Sequence, residues 1–222
     1  MNWFNSLKFK ALSVFGKKSQ PNQNVIASIK SEIEGTLIEV ELAKKEAIAA
    51  KLDSDISALS ALRQAPIKDQ RECERKFGKL EIKDGKVVWP NESKYCSILL
   101  IPDEVAHGWI NTATGKRTTK IYSNKYIHIP LMLALLYIQK RGLLSELKTF
   151  DGCFMVRRQR GGYAFSKHSW AVAIDINASE NPLGQKPILS PKFVQCFKDA
   201  GWIWGGDWTR PDGQHFQYVI EG

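Results

Sequence analysis

The sequence has no CxxC pair, no internal repeat, no low-complexity tract and no apolar run long enough to cross a bilayer. Each absence removes a class of protein. The four cysteines, Cys73, Cys96, Cys153 and Cys196, are widely scattered, whereas a structural zinc knuckle brings its thiolates in close pairs. That leaves one disulfide of unassigned pairing, or buried free thiols. The best apolar run, Leu131 to Ile138, is less than half of the roughly 20 residues a spanning helix needs. A secretory signal is missing as well: Lys8 and Lys10 break the first apolar region, and no small-residue cleavage site follows. On this reading the protein is made in the cytoplasm, and a substrate at the cell wall or in the periplasm requires release by another system.

What is present is ordinary in bulk. The 222 residues are 43% apolar and 25% charged, enough for one good-sized domain with an appendage, or two small domains, with a core that forms without staples. Lys plus Arg total 32 against 23 Asp plus Glu, a net charge of +9. This excess favours anionic partners such as nucleic acid, acidic lipid or bacterial wall polymers. The basic residues do not gather into a recognisable nucleic-acid module, and no nucleic acid is expected as a partner.

Along the chain, residues 1–18 place Trp3, Leu7, Ala11 and Phe15 four apart beside Lys8, Lys10, Lys17 and Lys18. A helix there presents an apolar stripe next to a basic face, which suits a membrane surface or the protein's own body. Ser19 to Asn24 reads as a linker. From Val25 to Ala65 the pattern predicts one long helix or two in succession, with Ile26, Ile33, Val40 and Ala47 recurring every seven residues. A coiled coil and a helical hairpin both fit, and the segment is expected to position or oligomerise the protein. Pro66 ends it.

Residues 1–66 thus form a helical N-terminal region, and 67–222 a second domain of different texture. Asp84-Gly85 sits between alternating strands as a hairpin turn. YCSILLI (95–101) reads as a buried strand, and NTATGKRTT (111–119) as an exposed basic loop. Pro130 opens a helix with Leu131, Leu135 and Ile138 on its buried face. Ser190-Pro191 caps a second helix carrying Phe193 and Phe197, which Gly201 ends. HFQYVIE (215–221) closes the chain as a strand. Helices before and among antiparallel strands predict an α+β fold.

The chemistry-bearing residues fall in SKHSWAVAIDIN (166–177) and DGQHFQ (212–217). In WAVAIDIN the alternation puts Ala171, Ala173 and Asp175 on one strand face. If the strands beginning at His215 and containing Asp175 pair, His168, Asp175 and His215 meet at one point. Two imidazoles and a carboxylate with an open fourth position are a recurring catalytic zinc set. Asp212, three residues before His215, is then placed to take the proton from water activated at the ion. Arg157 or Arg160 in the basic segment RRQRGG has the planar fork that binds a carboxylate or balances an oxyanion. Plainer readings also fit these residues: a turn cap for Asp175, a Pro-Asp-Gly turn for Asp212, a solvated loop for RRQR, and core packing for Trp202, Trp204 and Trp208. His107 and His128 have no motif around them and stay outside the metal set.

Taken in order, SKHSWAVAIDIN, GWIWGGDW and DGQHF resemble the zinc D-alanyl-D-alanine carboxypeptidases and the related L-alanyl-D-glutamate endopeptidases of phage endolysins. That family's pattern is S-x-H-x-x-G-x-A-x-D, a W-G-G-D-W loop and D/E-x-x-H, and the resemblance runs from about residue 126 to 222. It implies that His168, Asp175 and His215 bind one zinc ion, that Asp212 is the general base, and that Ser166 lies near the substrate. The substrate-binding arginine falls at Arg157 or Arg160. The implied fold is a small antiparallel-sheet domain shared with the hedgehog signalling domain. The implied activity is hydrolysis of a peptidoglycan stem-peptide bond flanked by a D-residue, as a carboxypeptidase or a lytic endopeptidase. One departure is visible: Ala171 stands where the family has glycine, which is expected to narrow the site or shift the strand. It is also the one feature in favour of a catalytically silent wall- or protein-binding module on the same fold.

Overall fold

The computed structural model describes residues 23–159 and 162–221; residues 1–22, including the amphipathic stretch 1–18, and Arg160 lie outside them. The chain divides into two compact units between Lys51 and Leu52, whereas the sequence pattern changes at residue 66. A single continuous helix, α1 (Gln23–Leu62), covers the stretch read as one helix or two, so no hairpin forms. It begins at Gln23, inside the expected linker. Its composition is rich in Ala, Glu, Lys and Leu, all good helix formers. Within the first unit Ile29, Ile33, Leu37 and Val40 are all exposed. No helix among the described residues is long and apolar enough to cross a membrane.

In the second unit Leu52, Ile56 and Leu59, at the end of α1, pack on the core. The chain continues through α2 (Gln70–Phe77), β1 (Glu81–Lys83), β2 (Lys86–Val88), the single-turn α3 (Glu92–Tyr95), β3 (Cys96–Leu100) and the single-turn α4 (Asp103–Ala106). Next come β4 (Ile110–Asn111), β5 (Lys116–Arg117), β6 (Lys120–Asn124), α5 (His128–Lys140), β7 (Thr149–Gly152), β8 (Ala173–Ile176), α6 (Pro191–Asp199), β9 (Ile203–Trp204) and β10 (His215–Gln217). This is the expected α+β mixture.

The local signals explain most of these elements. Asp84 and Gly85 both take positive φ, 50° and 72°, the geometry a two-residue hairpin turn demands. Ser190 accepts the Phe193 N–H at 3.1 Å to start α6, with Pro191 in the first turn. Two expectations change. β3 is not a buried strand: it pairs only with β6, and its open side leaves Leu100 72% exposed. The basic stretch 111–119 is not all loop: it contains β5, and residues 112–115 form the tip of the β4–β5 hairpin.

The main sheet has the order β5-β4-β7-β8-β10-β9, antiparallel except for the β4–β7 pair. The last strand is shorter than 215–221. After Gln217 the chain crosses to Ile67, which pairs with Val219 in a parallel bridge. α6 packs on the sheet through Phe197, whose ring stacks on Phe216 of β10 at 4.1 Å. Two of the buried indoles find partners: Trp202 Nε1 donates to Pro130 O and Trp170 Nε1 to Gly78 O, both at 3.0 Å. Burial of side chains of this size contributes about 2–3 kcal/mol each, and the sheet rests on them.

Candidate metal centre

The sheet register assembles the site. β8 and β10 run antiparallel with His215 opposite Asp175, and β7 on the other side sets Gly152 opposite Asp175. His168 comes from the single 3-10 turn Lys167–Trp170 just before β8. His168 Nε2 lies 3.1 Å from Asp175 Oδ1, His215 Nδ1 lies 2.9 Å from the same oxygen, and the two nitrogens are 3.1 Å apart. Tetrahedral zinc with bonds of about 2.0–2.1 Å separates its ligand atoms by roughly 3.3 Å. The spacing fits that ion.

The outer nitrogens of both rings are fixed so that lone pairs face the centre. The Cys153 carbonyl, an acceptor only, lies 2.9 Å from His168 Nδ1 and holds the ring proton there, freeing Nε2. Gln217 uses its NH2 to donate to the carbonyls of Val219 and Glu221, which turns its Oε1 toward His215 Nε2 at 3.1 Å. His215 Nδ1 is thereby left as the ligand atom. Such outer partners are a usual part of a histidine metal site.

Charge follows the same geometry. Burial alone pushes the Asp175 carboxyl up, but the facing imidazoles of His168 and His215 outweigh it and hold the group well below the usual carboxylate range. Burial pushes His215 down, yet the hydrogen bond and charge of Asp175, with Asp212 beyond, carry it above its ordinary value. His107 and His128 are not part of the cluster.

The ligands open onto a cavity of about 330 Å³, which Asp212, Arg157 and Ser166 also line. Asp212 is positioned by the tryptophan–glycine loop. The Gly205 carbonyl accepts the Asp212 N–H at 2.8 Å and the Trp208 N–H at 3.2 Å. A side chain at Gly205 would lie 2.7 Å from the Asp212 carbonyl oxygen, so the close approach requires glycine. Trp204 Nε1 donates to Gly213 O at 2.9 Å, and the Gln214 amide donates to Asp212 Oδ1 at 3.2 Å.

Arg157 is pinned by its backbone: its N–H donates to Ser169 Oγ at 3.0 Å, and its carbonyl accepts from Ser166 N at 3.0 Å. Ser166 is buried and opens the 3-10 turn without a side-chain capping bond. Arg158 turns onto the Phe165 ring at 4.9 Å.

Ala171 corrects an expectation. It is not part of β8 but caps the 3-10 turn in the left-handed region, φ 52° and ψ 38°. It is fully buried and does not line the cavity. The glycine of the related pattern is therefore a backbone requirement, and alanine here carries strain instead of narrowing the site.

Several site residues escaped the sequence reading: Gln217, Lys167, Gln214 and Arg210. Gln217 was within reach, because on a strand it shares a face with His215 two residues earlier. Residues 160–218, the span holding the metal cluster and Asp212, match the family model of the D-alanyl-D-alanine carboxypeptidases. No curated protein and no solved structure matches the chain. The site-bearing part of the chain is thus similar to a family of zinc peptidases.

Proposed function

We propose that the protein is a zinc-dependent peptidoglycan peptidase that cuts a stem-peptide bond flanked by a D-amino acid, as an endolysin-like wall-lysing enzyme. One observation carries the reading: the convergence of His168, Asp175 and His215 on a cavity shared with Asp212, inside the segment similar to D-alanyl-D-alanine carboxypeptidases. The proposed domain is the small antiparallel-sheet, hedgehog-like type.

His168, Asp175 and His215 would hold one Zn2+, which when bound polarises a carbonyl and makes water acidic near neutral pH. Asp212 takes the proton of the attacking water and returns it to the leaving amine as the C–N bond breaks. The products are a carboxylate and a free amine. Arg157 binds a substrate carboxylate through its fork, and the Ser166 hydroxyl orients the peptide at the cavity wall. Arg160 is a further candidate from the same basic segment. The +9 charge suits an anionic wall.

Outside the site, residues 1–18 are proposed to touch the membrane surface, and the seven-residue recurrence in α1 to support a helix-mediated oligomer. Unchanged liposome binding after removal of 1–18 would count against the first.

The test is Asp212→Ala. It is expected to lower hydrolysis about 10²–10⁴-fold while zinc stays near one ion per chain. Full activity in that variant contradicts the mechanism.

A further inference from the structure

We infer that Arg210 is a second carboxylate-binding residue, across the metal ligands from Arg157, so that the cavity takes a peptide carrying two carboxylates. The inference rests on the hydrolytic reading above and specifies its substrate.

Three basic side chains line the cavity: Arg157, Lys167 and Arg210. They are not equivalent. Lys167 is only 3% exposed, and its Nζ lies 3.1 Å from Glu221, so the protein itself answers its charge. Arg157 Nη1 donates to the carbonyl of Arg158 at 3.2 Å, a neutral partner. Among the described residues no carboxylate pairs with Arg157 or Arg210. The acids near Arg210 in sequence are engaged elsewhere: Asp207 pairs with Lys198 at 2.7 Å, and Asp212 accepts the Gln214 amide.

The two arginines reach the cavity on segments that follow the two outer strands of the β7-β8-β10-β9 block. In the order β7-β8-β10-β9, β8 and β10 carry Asp175 and His215 in the middle. β7 ends at Gly152, level with Asp175, and the chain leaves it toward Arg157. β9 ends at Trp204, level with Phe216, and the chain leaves it toward Arg210. Both segments depart at the ligand level, one on each side of the ligand pair. Each side thus presents a guanidinium without a protein counter-ion, a fork matched to a carboxylate. A substrate with a single carboxylate leaves one of them unmatched.

The test uses the zinc-loaded protein and the pentapeptide L-Ala-γ-D-Glu-L-Lys-D-Ala-D-Ala, together with its D-Glu α-amide and its C-terminal amide. The wild type is expected to prefer the dicarboxylate to either amide by about 10–100-fold in kcat/KM, the range for one charge-assisted bond. Arg210→Gln should lower kcat/KM on the dicarboxylate by a similar factor. It should lose discrimination against one amide and keep it against the other, and Arg157→Gln should show the reverse. If Arg210→Gln still discriminates against both amides as the wild type does, the second site is wrong and the hydrolytic reading stands. Calorimetric binding of the same peptides to Asp212→Ala protein, with and without Arg210→Gln, decides the point separately from turnover. Should the wild type cut none of them, the proposed function falls, and equal affinity of the two binding variants for the dicarboxylate also overturns the role of Arg210.

Discussion

Gln217 shows how much of the centre depends on side chains that never touch an ion. Its amide is locked by two carbonyls and in turn fixes the His215 ring. Gln217→Leu is expected to weaken zinc about 10–100-fold in a chelator competition titration, with the circular dichroism of the folded state retained. Unchanged affinity would remove it from the site. Ala171 makes an opposite point about backbone. A left-handed alanine costs about 1–2 kcal/mol, partly offset by the lower unfolded-state entropy it has relative to glycine. Ala171→Gly should therefore raise stability by about 1 kcal/mol in a denaturant titration, whereas Ala171→Val, β-branched and buried, should lower it by at least about 2. That His168, Asp175 and His215 meet was legible in the sequence, because with Asp212 they stand in a recognisable order. The meaning of Ala171 was not, because strand alternation cannot show where a strand begins.

Among the elements, the β8–β10 pair and the 204–213 loop bring the chemistry together. Asn177, at φ 52° just past β8, ties them to β7. Its Oδ1 accepts the Lys148 and Thr149 N–H groups at 3.0 and 2.9 Å, and its amide donates to Glu146 O at 2.6 Å. Asn177→Ala removes three part-buried hydrogen bonds, each worth about 0.5–1.5 kcal/mol net, and should cost roughly 3 kcal/mol by thermal denaturation. A loss under about 1 kcal/mol would show that the network does not hold the strand end. The pairing of the two ligand strands was readable from their alternation. The role of Gly205 was not, since its reason is a close approach to Asp212, further along the loop. The long helix was legible by its period, yet the break in the apolar stripe between Ala47 and Leu52 left one helix and a hairpin both open.

Across the whole molecule, all four cysteines are free and buried, which decides between the two options that spacing left open. Burial pushes the Cys73 and Cys96 thiols up to about 12. A thiol reagent should find none reactive in the native protein and all four after unfolding. Acid sensitivity follows from carboxylates held low. The Gln70 N–H and the Lys167 ammonium depress Glu221 against the pull of burial. For Asp199, burial pushes upward, but hydrogen bonds from Arg141 and Gln195 prevail. A carboxyl whose pKa is lower folded than unfolded contributes stability above its unfolded value, near 4, and loses it as pH falls through the folded value. Thermal stability should hold from neutral pH to about 5 and fall below about 4, and Asp199→Asn should flatten part of that fall. The most direct measurement is mass analysis of fragments released from purified sacculi by the zinc-loaded protein, with and without a chelator. The expected result is new termini at one stem-peptide bond next to a D-residue, absent under chelation and restored by zinc. Intact stem peptides in every arm, with zinc bound, would contradict a hydrolytic site.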